Sequence, residues 1–84
     1  MFGRRADDRP PLERALGAAA SLKAGTWESV EALALLSVEA KGRPEAERLY
    51  ASAVDTSARL SEGTWQSVRA LAALARARRE LAER

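Results

Sequence analysis

"GTWESVEALALL" runs from Gly25 to Leu36, and nearly the same words return as "GTWQSVRALAAL" from Gly63 to Leu74. Each copy begins with a stop and a start. A glycine just past an apolar-periodic run can take the left-handed conformation that ends a helix, because it has no Cβ to clash. The Thr that follows can accept a hydrogen bond from an orphaned N–H of the next helix. Ser29 and Ser67 then fall in the first turn, where a small polar residue serves the helix start. Working outward, Gly42 is a third stop, while Pro10 and Pro44 each follow an Arg and fit the first helical position.

This punctuation predicts an all-α chain of four helices, over 10–24, 27–41, 44–62 and 65–83. The joints are two or three residues long, short enough to force neighbours antiparallel. The chain then reads as two helical hairpins, 10–41 and 44–83, within one domain over 10–84. Residues 1–9 carry no apolar pattern and are expected to form a flexible tail. In the third helix Ala46, Leu49, Tyr50, Ala53, Val54, Ser57 and Leu60 recur at three- and four-residue steps and share a face. Leu12, Ala15, Leu16, Ala19 and Leu22 do the same in the first. The second and fourth helices are apolar over a wider arc, so they are expected to be the most buried pair or the pair that meets a partner.

Composition supports helices and excludes much chemistry. Ala, Leu, Arg and Glu dominate, and all are strong helix formers. The absence of Cys and His removes disulfides, thiolate nucleophiles, the usual general base and the commonest metal ligands, so no metal or cofactor is expected. The serines have no His to activate them and no glycine-rich phosphate loop occurs, which argues against an enzyme. No apolar run of membrane-spanning length is present, nor an apolar stretch after the first basic residues, so a cytoplasmic protein without membrane contact is expected. At 84 residues, folding buries only about 60 to 65% of the unfolded surface, and self-association or a partner often supplies the rest.

The duplication extends past Gly-Thr-Trp. "RPPLER" at 9–14 matches "RPEAER" at 43–48 with an offset of 34, against 38 for the Gly-Thr-Trp blocks. The difference of four residues is about one helical turn, so the third helix can be a turn longer while its buried face keeps its direction. A unit near 34 residues made of two antiparallel helices resembles the tetratricopeptide (TPR) family. The segment "VEALALLSVEAKGRPEAERLYASAV" carries the likeness. Leu33 and Ala34 stand in the first helix of a unit, with the small, aromatic, small triad Ala46, Tyr50 and Ala53 in the second. Leu71 and Ala72 repeat the first element, and Leu12, Leu16 and Ala19 stand in the triad's earlier copy. Each Trp sits at the very start of its helix, Ala replaces the family's Gly, and Gly42 falls one residue late. The resemblance implies a short α-solenoid with one full unit over 27–62, flanked by two half units.

It also implies a groove between the second and fourth helices. The corresponding positions are Glu28, Glu31, Leu35, Val38 and Glu39 on one wall, with Gln66, Arg69, Ala73, Arg76 and Ala77 on the other. The mixed charge and the apolar Leu35 and Val38 suit an amphipathic helix, including one from a second copy of the chain. The lack of Asn and of groove Lys disfavours the capture of a C-terminal carboxylate seen in some of the family. Alternatively, Glu31 and Arg69 simply neutralise each other. Trp27 and Trp65 have two readings as well: aromatic anchors for a partner, or structural residues that pin the turns.

The expected function is therefore protein–protein interaction with self-association as part of it. A purely structural four-helix homodimer is the alternative. Nucleic-acid binding through Arg76, Arg78 and Arg79 is disfavoured, because Glu80 and Glu83 lie four residues from Arg76 and Arg79 and no aromatics interleave.

Overall fold

The computed structural model describes residues 8–83, and among them it contains four helices and no strand: α1 (Pro11–Ser21), α2 (Trp27–Glu39), α3 (Glu45–Ser57) and α4 (Trp65–Ala82). Of the tail expected over 1–9, all but Asp8 and Arg9 lies outside the described residues. The two Thr starts form as expected. Thr26 Oγ1 accepts from the Ser29 N–H at 3.1 Å while Ser29 Oγ accepts from the Thr26 N–H at 3.1 Å. Thr64 and Ser67 repeat this reciprocal pair at 3.0 and 3.3 Å. It is a capping box with Ser in the place of the usual Glu, and loss of such a cap costs about 1 kcal/mol.

The helix ends depart from expectation. The joints are 22–26, 40–44 and 58–64, longer than the two or three residues the punctuation suggests. α1 stops at Ser21, whose hydroxyl bonds back to the Ala18 carbonyl, and Leu22 is extended. No residue of α1 is buried, so no packing supports a last turn that propensity alone holds weakly. α3 stops at Ser57, and the N–H groups of Arg59 and Leu60 bond three residues back to Thr56 and Ser57. That tightening presents the Ser61 carbonyl to the Trp27 indole N–H at 2.9 Å.

Glycine conformations follow suit. Gly42 and Gly63 have positive φ, at 92° and 133°, while Gly25 does not, although it opens the same tripeptide as Gly63. Gly63→Ala should lower stability by about 1–3 kcal/mol through backbone strain. Gly25→Ala, with open space where its Cβ would sit, should raise stability by about 0.4–1 kcal/mol through the unfolded chain. Urea midpoints of the two variants check the contrast.

Contacts between helix ends give the directions. Trp27 at the start of α2 meets Ser61 beyond the end of α3, so these two run antiparallel. Glu31 pairs with Arg69 at 3.1 Å near the helix starts and Lys41 with Glu83 at 3.9 Å near the ends, so α2 and α4 run parallel. Arg43, after α2, bonds Glu13 in the first turn of α1 at 2.6 Å, which makes α1 antiparallel to α2. α2 packs on all three other helices, α3 on α2 and α4, and α1 on α2 alone. The result is a slab of 48 × 32 × 18 Å. Its thin dimension leaves room for two layers of helices about 10 Å across.

The core is narrow and rich in alanine: Trp27, Val30, Ala34, Ala53, Ala70, Leu74 and Ala77, with Leu33, Val38, Tyr50, Leu60, Leu71 and Ala73 packed against it. Small residues let the helix axes approach closely. Ser37 is buried inside this packing, where its hydroxyl bonds the Ala34 carbonyl at 2.7 Å. Buried Thr56 lies outside the apolar face expected for the third helix, while Val54 on that face is 40% exposed.

Candidate functional site

The structure separates the two tryptophans. Trp27 is 9% exposed, spends its indole N–H on Ser61 and belongs to the core. It therefore offers a partner almost nothing, which corrects its expected place among the binding residues. Trp65, at the same point of the second repeat, is 83% exposed. The difference lies in what surrounds them. The loop after α3 folds over Trp27, and among the described residues no further helix and loop stand in that relation to Trp65.

The split extends along both helices. α2 buries Trp27, Val30, Ala34 and Ser37, a stripe at steps of three, four and three residues that occupies one helix face. With the offset of 38, the same stripe in α4 is Trp65, Val68, Ala72 and Ala75, and all four are exposed. α4 buries instead Ser67, Ala70, Leu74 and Ala77. Their counterparts in α2 are Ser29, Ala32, Leu36 and Glu39, none of them buried. The two helices thus turn opposite faces inward, as neighbours in a stack do. α4 is left with an uncovered copy of the stripe that α2 uses as core. Trp65 alone presents about 200 Å² of surface. At about 25 cal/mol per Å², covering it contributes about 5 kcal/mol before the costs of association.

The seam between α2 and α4 brings together several of the other expected residues. Glu31 and Arg69 pair across it, with the Arg69 side chain largely in solvent, so their attraction contributes less than about 1 kcal/mol. Val38 and Ala73 are half-buried against the core, and Leu35, one helical turn after Glu31, stands 43% exposed. Glu28, Glu39, Gln66 and Arg76 are exposed. Ala77, expected on the same wall, is fully buried and is corrected to the core.

The third feature is the looseness of α1. An open groove of about 550 Å³ separates it from α3, with Leu16 and Gly17 on one side and Arg48 and Leu49 on the other. Just past its end, Leu22 is 73% exposed. Val68, Ala72, Ala75 and Leu22 were not among the expected binding residues. The signal that finds them is the repeat itself, once α2's buried stripe is carried forward by 38 positions and Leu60 is carried back by the same 38.

Among the described residues no group of three or more acidic side chains is gathered as a metal site, and no helix is long and apolar enough to cross a membrane. Comparison of the chain with protein-family models, with curated proteins and with solved structures finds no match.

Proposed function

We propose that this chain is a non-enzymatic protein–protein interaction module of TPR-like build, acting in the cytoplasm, with self-association as part of its work. It takes a helical partner segment on the outward faces of α2 and α4. The observation that carries this reading is the exposed stripe Trp65, Val68, Ala72 and Ala75, in register with a stripe that the same molecule buries against a helix. A contiguous apolar face of this kind marks an interaction site more often than an isolated exposed residue does. Trp at its head is the residue type most enriched among binding hot spots. The seam around Leu35, beside the Glu31–Arg69 pair, is a second place for the same kind of ligand.

Panning a displayed library of amphipathic helices against dilute protein tests the proposal. Helices with apolar residues at steps of three and four should be enriched, and Trp65→Glu should abolish the capture of those that use the stripe. A library that yields no helix above background, with the protein shown to be folded, would sink the reading.

A further inference from the structure

We infer that the helical segment covering the α4 stripe is α1 of a second copy, so that copies join head to tail into a continued solenoid. This rests on the reading of the chain as an interaction module and names its partner.

The internal α2–α3 contact is the template. α3 lies against two helices, α2 and α4, and in the loop after it Leu60 packs on the core that holds Trp27 while the Ser61 carbonyl accepts from the Trp27 indole. α1 is the earlier copy of α3, as "RPPLER" and "RPEAER" show, yet it lies against α2 alone, and Leu12, Leu16 and Ala19 reach only half-burial. The neighbour it lacks corresponds to α2 in the repeat, and that is α4 of another molecule. The loops agree residue by residue. "LSEGTW" at 60–65 corresponds to "LKAGTW" at 22–27, so Leu22 stands for Leu60 and the Lys23 carbonyl for that of Ser61. Among the described residues Leu22 and Trp65 are the two most exposed large apolar side chains, and they correspond to Leu60 and Trp27, which the molecule packs into one core. One end of the slab therefore offers what the other end lacks.

Charge agrees with this stacking. Glu31 of α2 meets Arg69 of α4 at equivalent repeat positions. In a continued stack Arg69 next faces the Glu31 of the following copy, so signs alternate along the row and no like charges are brought together. Such a joint is heterologous: each copy uses two different surfaces, and association does not close at two members.

Light scattering on the full chain tests this with two variants, Leu22→Glu and Trp65→Glu, first checked by circular dichroism to keep the helical content of the wild type. Wild type should grow in mass with concentration beyond two copies. Each variant alone should stay at the single-chain mass. An equal mixture should stop at twice that mass, because Leu22→Glu still offers α4 and Trp65→Glu still offers α1. A wild type that stays monomeric, a variant that associates as the wild type does, or a mixture that stays monomeric would each overturn the inference. If helices are nevertheless captured from the library at Trp65, the interaction reading stands and its occupant is another protein; if both experiments fail, the reading falls with the inference.

Discussion

Trp27→Ala should remove about 3–5 kcal/mol, a large share of the protein's stability, while Trp65→Ala should leave its stability unchanged. The first removes a nearly buried indole from a core whose other large members are only Val30 and Leu74, and leaves the Ser61 carbonyl without its donor. Truncation of a buried Trp costs about 3–5 kcal/mol. A chain of this length has about 4–13 kcal/mol in all. The second removes a side chain that touches little, and surface changes of that kind stay within about 0.5 kcal/mol. Denaturant titration at low protein concentration reads both. Equal losses at the two positions would show that the second repeat buries its Trp as the first does.

The opposite contrast holds one face round the helix. Ala70 is fully buried where α4 meets α2, whereas its counterpart Ala32 is exposed. Ala70→Glu forces a carboxyl group into alanine packing, where holding it neutral or charged costs about 4 kcal/mol, the equivalent of about three units of carboxyl pKa. Ala32→Glu leaves the charge in water and should keep the unfolding midpoint of the wild type. Thermal melts followed by circular dichroism separate the two, and a stable Ala70→Glu variant would contradict the packing of α4 on α2.

These paired outcomes mark where the sequence stops speaking. The helix starts were readable because their determinants are local: Thr26 and Thr64 cap through Ser29 and Ser67 three residues on, and no distant group is needed. Antiparallel hairpins followed from Gly-Thr joints and the repeat. The helix stops at Ser21 and Ser57 were not readable, because Leu, Lys, Arg and Ala beyond them favour a helix. Past the end of α3 the Ser61 carbonyl goes to the Trp27 indole, a partner 34 residues away. The identical "GTW" words gave no reason to part Trp27 from Trp65, since burial depends on which helix comes to lie alongside. Of the candidate surface, the Glu31–Arg69 pair was visible as two equivalent positions on parallel neighbours. The stripe from Trp65 to Ala75 was hidden because in sequence it looks like core, and it becomes a surface only when the structure leaves that face without a neighbour.

The most direct test of that unequal burial is acrylamide quenching of tryptophan fluorescence in dilute solution, on the wild type and on Trp65→Phe, which keeps Trp27 as its one indole. Trp65→Phe should show a shielded, blue-shifted emission, and the wild type should add a component quenched about as readily as free indole. Two equally shielded tryptophans in dilute wild type would contradict it, because α4 would then have no open stripe to offer.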